Sequence, residues 1–313
     1  MLGLIGDIGG TNARFALAER PNHFTAPRVL PTEEYATIGE AIAAYLASEQ
    51  PTTTPRQAVL AVASPIADDQ VTLTNNPWSF SIAALQRQLG VRRLKLINDF
   101  VACALAVPHL QDGDRCQIGP GVPERGAPIG LLGPGTGLGV SALVRSGNDY
   151  VPLQSEGGHV TMAAENERED GVLRIMRQRF DHVSAERILS GPGLVNLYNA
   201  LCELSGARAA ALTAAQITDP RIAGEDRHAA EAKAMFCDML GSVAGDLALT
   251  LGARGGVYIA GGIVPKLCDF VSQSNFRTRF QAKGRLSPYL AAIPTYVVLH
   301  PFPALIGASH LLT

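Results

Sequence analysis

Residues 6–12 bring together a carboxylate, three glycines, a hydroxyl and an amide in the string Gly-Asp-Ile-Gly-Gly-Thr-Asn. Apolar runs at 2–5 and 15–18 flank this string, an order that predicts a tight β-hairpin. Glycine lets a backbone approach closely, so that its N–H groups can bind phosphate oxygens. Asp7 would repel a phosphate unless a cation, such as Mg²⁺ with its waters, lies between the two anions. The string therefore predicts a site for nucleotide phosphates and a metal.

A second glycine-rich string, Gly-Pro-Gly-Thr-Gly-Leu-Gly, occupies residues 133–139 between apolar runs. Its spacing differs from the Gly-x-Gly-x-x-Gly dinucleotide fingerprint, and a strand rather than a helix is predicted to follow it. We interpret it as a second phosphate loop in which the Thr136 hydroxyl is a donor. A third corner, Ala260-Gly261-Gly262-Ile263, leaves backbone bare for the flat face of a purine. Each string alone is more typical of a plain turn, but all three together, with Asp7 in the first, favour nucleotide binding.

Two common classes of nucleotide-binding protein are excluded by their motifs. The chain lacks Gly-x-x-x-x-Gly-Lys-Ser/Thr, so it is not a P-loop protein. It also lacks the His-Arg-Asp and Asp-Phe-Gly strings of protein kinases.

The composition is that of a globular protein that binds a small solute. The 313 residues predict about two domains, and 47% of them are hydrophobic and 17% charged. A net charge of −2 without a basic block argues against nucleic acid or an anionic membrane as a partner. The five cysteines include no Cys-x-x-Cys pair, which predicts free thiols in a reducing compartment. No secretory pattern and no apolar run of about 20 residues occurs, so we expect a cytoplasmic protein.

The remaining pattern predicts a mixed sheet covered by helices, followed by a mostly helical region. The early hairpin leads into alternating helices and strands, which is typical of an α/β sheet. A stretch at 110–128 rich in Gly, Pro and Asp is interpreted as a crossover between domains. The predicted helices lie at 37–48, 81–89, 99–107, 169–180, 194–204, 228–251 and from 304 onward; the main predicted strands lie at 57–63, 94–97, 129–132, 140–144, 255–260 and 295–299.

Several acidic residues outside the glycine strings permit more than one interpretation. Asp99 follows a predicted strand and begins a helix, which either presents its carboxylate to a cleft or makes it a helix cap. Glu186 would be read, from its neighbours alone, as a solvated residue or an ion-pair partner of Arg187. The acidic run at 165–170 is predicted to be solvated surface that also places negative charge at a helix start.

These motifs together resemble the superfamily of sugar kinases, Hsp70 and actin, and most closely the bacterial ATP-dependent glucokinases. The resemblance extends over nearly the whole chain. It rests on residues 6–14, Ile97-Asn98-Asp99-Phe100, Glu156-Gly157-Gly158-His159, His182-Val183-Ser184-Ala185-Glu186-Arg187 and Leu189-Ser190-Gly191-Pro192-Gly193.

The resemblance implies a two-lobed α/β protein with the actin-like ATPase (ribonuclease H-like) fold. The smaller α/β domain would comprise residues 1–109 and 300–313, and the larger α+β domain residues 110–299, with a cleft between them that holds ATP and Mg²⁺. The implied reaction is transfer of the ATP γ-phosphate to the 6-hydroxyl of D-glucose, the first step of glycolysis. The family also implies a homodimer.

The resemblance assigns roles residue by residue. Asp99 is implied to be the catalytic base that accepts the proton of the sugar hydroxyl. The implied sugar ligands are Asn98, Asp99, Glu156, His159 and Glu186, whose carboxylate, amide and imidazole groups suit hydroxyls that both donate and accept. The implied nucleotide contacts are Gly6, Asp7, Ile8, Gly9, Gly10, Thr11, Asn12, Gly133, Gly135, Thr136, Gly137, Gly261 and Gly262, and Asp7 would hold Mg²⁺ through water.

The chain departs from the pattern of related sugar kinases in one respect, and two alternative functions remain open. Related sugar kinases carry a cysteine-rich zinc motif after their Glu-x-Gly-His string, but residues 160–185 contain no cysteine, so no structural zinc is expected. The motifs define the chemistry better than the stereochemistry of the sugar, so a kinase of mannose, fructose or an N-acetylhexosamine is one alternative. A non-catalytic sugar sensor, or an actin-like ATPase, is the other.

Overall fold

The computed structural model describes residues 2–74 and 76–312. Its strands are β1 Gly3–Ile8, β2 Asn12–Arg20, β3 His23–Phe24, β4 Arg28–Pro31, β5 Gln57–Val62, β6 Gln70–Thr72, β7 Ser79–Ser81, β8 Arg93–Asn98, β9 Arg115–Ile118, β10 Ile129–Pro134, β11 Leu138–Ser146, β12 Asp149–Ser155, β13 Val257–Ile259 and β14 Thr295–Val298. Its helices are α1 Ile38–Glu49, α2 Ile82–Leu89, α3 Asp99–Ala106, α4 Glu167–Arg179, α5 Gly191–Leu204, α6 Ala214–Thr218, α7 Pro220–Glu225, α8 Arg227–Leu251, α9 Cys268–Gln273, α10 Phe276–Gln281, α11 Ser287–Ala292 and α12 Pro303–Ser309.

The chain divides into two compact units. The first unit comprises Met1–Gln111, Pro152–Gln154 and His300–Thr313, and the second comprises Asp112–Val151 and Ser155–Leu299. In the first unit the strand order is β3-β2-β1-β5-β8, and β4 also pairs with β2. β1 and β2 form the predicted antiparallel hairpin, whereas β1, β5 and β8 run parallel. The carboxyl ends of these three parallel strands therefore lie at one edge of the sheet.

The helices of the first unit begin where the sequence predicts them. The side chains of Thr37 and Ser81 cap α1 and α2 by accepting backbone N–H bonds, and Gly90 ends α2 in a left-handed conformation. α12 crosses α3 so closely that a Cβ on Gly307 would lie 1.8 Å from the Ala102 carbonyl oxygen. Glycine is thus required at this crossing, which holds the C-terminal helix against the helix that begins at Asp99.

Two histidines stack where α12 meets the turn after α3, and their environment predicts a pH-dependent stability. The rings of His109 and His310 lie 3.4 Å apart, and His310 Nε2 lies 2.9 Å from Asn22 Oδ1. Burial and the neighbouring His109 lower the pKa of His310 to about 4, and burial lowers the pKa of His109. An unfolded histidine binds a proton near pH 6.5, so between about pH 6.5 and pH 4 the unfolded chain holds more protons than the folded one. Stability is therefore expected to fall as the pH falls through this window.

Urea unfolding at pH 7.5 and pH 5, followed by the fluorescence of the single tryptophan Trp78, measures this loss. His310→Gln keeps a polar side chain but cannot titrate, so it should show a smaller difference between the two pH values. An equal difference in wild type and variant would contradict the prediction.

The second unit is built on a sheet of strand order β12-β11-β10-β13-β14-β9. β10 and β11 form the second predicted hairpin, but their pairing continues through Gly133 with Gly139 and Pro134 with Leu138. The open turn is therefore shorter than the predicted corner, because these two pairs extend the strand ladder. β9 lies inside the stretch predicted to be a crossover, and it pairs with β14 about 180 residues later in the chain.

The helical region of the second unit surrounds the long helix α8. Fourteen residues of α8 are buried, and its apolar side chains pack with those of α5 and α10 in the core of this unit. α8 has the length and hydropathy of a membrane span, but more than half of that stretch is buried inside the protein. These features are those of a core helix.

The predicted solvation of the whole acidic run at 165–170 is wrong at Glu169. Its carboxylate is buried and accepts hydrogen bonds from Arg279 Nη1 at 2.6 Å and Nη2 at 3.1 Å. Burial alone would raise the pKa of Glu169, but the bonds from Arg279 and from the backbone N–H of Glu165 outweigh it and lower the pKa. The other prediction for this run holds, since α4 begins at Glu167 with the acidic residues in its first turn.

Candidate active site

Thr32, which directly follows β4, stabilises the turn between β1 and β2 through hydrogen bonds. Gly9 N donates to the Asn12 carbonyl oxygen at 3.0 Å across the turn. The Thr32 hydroxyl donates to the Gly10 carbonyl oxygen at 2.9 Å, and Thr32 N donates to the Thr11 carbonyl oxygen at 3.0 Å. These bonds fix the backbone of the glycine-rich turn before any ligand binds.

Asp7 stands opposite Arg14 in the register of this hairpin. Arg14 Nη1 lies 3.3 Å from Asp7 Oδ2, and the Asp7 side chain keeps about 20% of its surface exposed. Burial raises the pKa of the Asp7 carboxyl, while the guanidinium of Arg14 opposes that effect. A single, partly exposed carboxylate fits a Mg²⁺ ion that retains most of its waters.

Asn98 and Asp99 lie at the carboxyl end of β8, on the same sheet edge as the hairpin turn, because Ile8 pairs with Val62 and Val62 with Asn98. Asn98 Oδ1 caps α3 by accepting from the N–H groups of Phe100 and Val101. The capping role considered for Asp99 thus belongs to Asn98. The amide N–H₂ of Asn98 is then the group that can meet a ligand, as a donor.

Asp99 is the first residue of α3, and its Oδ1 accepts from Phe100 N at 2.9 Å. One helical turn later, burial raises the pKa of the Cys103 thiol well above its usual range, and the charges of Asp7 and Asp99 raise it further. The charges of the two carboxylates thus act on the same thiol. The first unit brings together Asp7, Asn98 and Asp99, which are distant in sequence.

In the second unit the 133–139 string and the Ala-Gly-Gly corner lie side by side. β10 pairs with β13, and Ala260 N donates to the Leu132 carbonyl oxygen at 2.9 Å. Gly261 has φ +88°, and a Cβ there would lie 2.3 Å from the Pro134 carbonyl oxygen. Only glycine fits this position. The structure thus brings Gly133, Gly135, Thr136 and Gly137 to the corner formed by Gly261 and Gly262.

Glu156 and His159 flank a short 3₁₀ turn that follows β12. His159 N donates to the Glu156 carbonyl oxygen at 3.0 Å, and both side chains are exposed. The turn packs on β11 so tightly that a Cβ on Gly158 would lie 2.0 Å from the Leu138 carbonyl oxygen. Gly158 is thus needed for this turn to lie against the sheet.

Glu186 lies in a 3₁₀ turn, Ala185–Arg187. Its Oε2 accepts from Leu138 N at 2.9 Å. The ion pair with Arg187 considered above is not formed, because the Arg187 guanidinium stacks 4.3 Å above the Phe180 ring. Glu186 and His159 line one cavity of about 400 Å³, together with Arg179, Phe180, Asp181, His182, Ser184 and Arg187.

The sequence predicts no role for His182, although this residue begins the motif at 182–187. Its Nε2 lies 2.9 Å from the His159 carbonyl oxygen, and because a carbonyl only accepts, His182 is the donor. The contact joins the Glu186 segment to the Glu156–His159 turn, as does a bond of 2.8 Å from Ala185 N to the Val160 carbonyl oxygen. Only the motif itself could have signalled this role, since no local pattern links residues so far apart.

A family model, a relative in sequence and a solved structure each match nearly the whole chain. A family model described as glucokinase matches residues 4–313. A glucokinase of Aromatoleum aromaticum is 55% identical over 307 residues, which cover 98% of this chain and 93% of that protein. The crystal structure of a glucokinase from an Antarctic psychrotroph has a TM-score of 0.89 at 39% identity and covers 99% of this chain and 98% of its own.

A more distant structure shares the fold. It is a ROK family glucokinase from Streptomyces griseus, solved in complex with glucose and AMPPNP, with a TM-score of 0.68 at 18% identity over 99% of each chain. Together with the two glycine-rich hairpins and the strand-end carboxylates, these matches define an ATP-dependent sugar kinase with the two-domain actin-like ATPase fold. Within that class, the chain belongs to the glucokinase family.

Proposed function

We propose that this chain transfers the γ-phosphoryl group of ATP to the 6-hydroxyl of D-glucose, giving glucose 6-phosphate and ADP. The observation that carries the proposal is 55% identity to a glucokinase over almost the full length of both chains. The distribution of polar groups supports it, because each unit presents a glycine-rich turn and acidic side chains.

In this proposal five residues bind the sugar: Asn98 and Asp99 of the first unit, and Glu156, His159 and Glu186 of the second. The Asn98 amide donates, because its oxygen already caps α3. The carboxylates accept from sugar hydroxyls, and His159 can do either according to its tautomer. Such a mixed set matches adjacent hydroxyls and disfavours an apolar ligand.

Asp99 has the position and chemistry of the catalytic base. As the 6-hydroxyl oxygen attacks the γ-phosphorus, its proton passes to the Asp99 carboxylate. The backbones of the 6–12 and 133–139 strings and the Gly261–Gly262 corner bind and orient the nucleotide. Mg²⁺, held through water by Asp7, would supply positive charge that offsets the charge on the phosphates. Exclusion of water from the bound sugar would limit hydrolysis of ATP.

The wider setting belongs to the same proposal. We place the enzyme in the cytoplasm, as a homodimer that catalyses the first step of glycolysis. The five cysteines are free thiols, which supports a reducing compartment. Burial also raises the pKa of the thiols of Cys103 and Cys237. Thiols of that kind are unreactive small apolar residues.

Kinetics on a panel of hexoses test the proposal against a kinase of another sugar. With ATP as donor, kcat/KM for glucose is expected to exceed that for mannose, fructose and N-acetylglucosamine by about tenfold or more, since a hexose with a displaced or replaced hydroxyl leaves polar groups of the site unpaired. A higher value for another hexose would reassign the substrate. Binding of glucose with no phosphorylated product would instead indicate a sensor.

A further inference from the structure

Leu138 lies near the end of the 133–139 loop, and its backbone contacts two of the proposed sugar-binding segments. Leu138 N donates to Glu186 Oε2 at 2.9 Å. The Leu138 carbonyl oxygen faces Gly158, where an added Cβ would lie only 2.0 Å away. Glu186 and the Glu156–His159 turn are therefore both in direct contact with one residue at the end of the nucleotide loop.

Gly137 of the loop also lies close to the Glu186 carboxylate. A Cβ on Gly137 would lie 2.4 Å from Glu186 Oε2, so no side chain can enter there without displacing the carboxylate. A second bond, of 2.8 Å, runs from Gly191 N to the Gly135 carbonyl oxygen. The segment that carries Glu186 thus holds the loop at two positions.

The backbone of Glu186 is itself fixed by the helix that follows. The Ser190 hydroxyl donates to the Glu186 carbonyl oxygen at 2.7 Å and accepts from Gly193 N at 3.0 Å as the cap of α5. A displacement of the Glu186 side chain therefore cannot be absorbed by its own backbone. It changes the hydrogen bond to Leu138 instead.

A carboxylate offers about four lone-pair positions, so it can hold the Leu138 N–H and accept from a sugar hydroxyl at the same time. Hydrogen bonds to a charged acceptor are stronger than neutral ones. We propose that Glu186 is a positioning residue for the 133–139 loop as well as a sugar ligand, so that this carboxylate couples sugar affinity to nucleotide affinity. The proposal rests on the assignment of sugar and nucleotide sites made above.

Calorimetric titration with AMPPNP and MgCl₂, first without sugar and then with saturating glucose, tests the coupling. Glu186→Ala removes the acceptor and is expected to weaken AMPPNP binding about tenfold in the absence of sugar. It should also abolish most of the gain in AMPPNP affinity that glucose produces in the wild type. Glu186→Gln keeps an amide oxygen that can accept from Leu138 N, so it should recover part of the sugar-free affinity.

Glu156→Ala is the matched control. The hydrogen bond from Leu138 N goes to Glu186, whereas the Glu156 side chain is exposed, so this variant should lose glucose affinity and keep the wild-type AMPPNP affinity without sugar. The proposal is overturned if Glu186→Ala binds AMPPNP as the wild type does without sugar. It is equally overturned if the wild type binds AMPPNP with the same affinity in the presence and absence of glucose.

Thermal unfolding shows whether each variant is folded. If Glu186→Ala is not, Glu186→Gln carries the test: its weaker neutral bond predicts a loss of about threefold, and an unchanged affinity overturns the proposal. A failure of the proposed function is distinguishable from a failure of this proposal. It would appear as a wild type that binds AMPPNP but does not phosphorylate glucose when ATP is supplied.

Discussion

Asp99→Asn is expected to lower kcat by about 10²–10⁴-fold, which is the range that general base catalysis contributes. The amide has the size and polarity of the carboxylate but cannot take up the proton of the attacking hydroxyl. Asn98, which caps α3, is untouched, so the helix start should persist. The dissociation constant for glucose, measured by calorimetry without ATP, should stay within about threefold of wild type because the variant can still hydrogen-bond the sugar.

Glu33→Gln is a suitable control, because it removes one exposed negative charge from the same unit. Its kcat should equal that of the wild type. The assignment of Asp99 is contradicted if Asp99→Asn keeps more than about a tenth of wild-type kcat, well above the range expected for a lost base.

Asp7→Asn is expected to lower kcat/KM for ATP by about 10- to 100-fold, as is common for residues that hold a metal through a second layer of contacts. It should also raise the MgCl₂ concentration that gives half-maximal rate. The cause is the loss of the one charge that this turn offers to a hydrated cation, beside an Arg14 that would then be unopposed.

Initial rates across a MgCl₂ series, at fixed ATP and glucose, measure this effect. Asp68→Asn, at an exposed position of the same unit, controls for the change in net charge. A magnesium dependence identical in Asp7→Asn and wild type would show that Asp7 does not hold the metal.

The elements that the sequence predicts well are those specified by neighbouring residues. The hairpin around 6–12 follows from glycines between apolar runs, and α2 follows from a serine cap and a terminal glycine. α8 follows from a long helical period. In each case the physical cause lies within one turn or one strand length of the residue that it affects.

The features that escaped prediction depend on partners distant in sequence. The sequence predicts a solvated Glu169, because Arg279, which neutralises it in the core, comes 110 positions later. β9 is short and gains its order from pairing with β14. Residues of this kind have no local signature.

In the candidate site, too, the features with a local cause could be predicted and those with distant partners could not. Motifs named the polar residues, but no motif could show that Glu186 bonds Leu138 across 48 positions, or that His182 bonds His159 across 23. The same holds for Asn98, whose oxygen is committed to α3 and whose amide nitrogen is left for a ligand. Side-chain roles of this kind depend on tertiary contacts.

Phosphorus-31 NMR of the wild-type chain with equimolar ATP, glucose and MgCl₂ tests the central claim most directly. The account predicts ADP and glucose 6-phosphate in equal amounts, with the phosphate on the 6-hydroxyl and no accumulation of inorganic phosphate. ADP with inorganic phosphate but no sugar phosphate, or a phosphate on another hydroxyl, would contradict it.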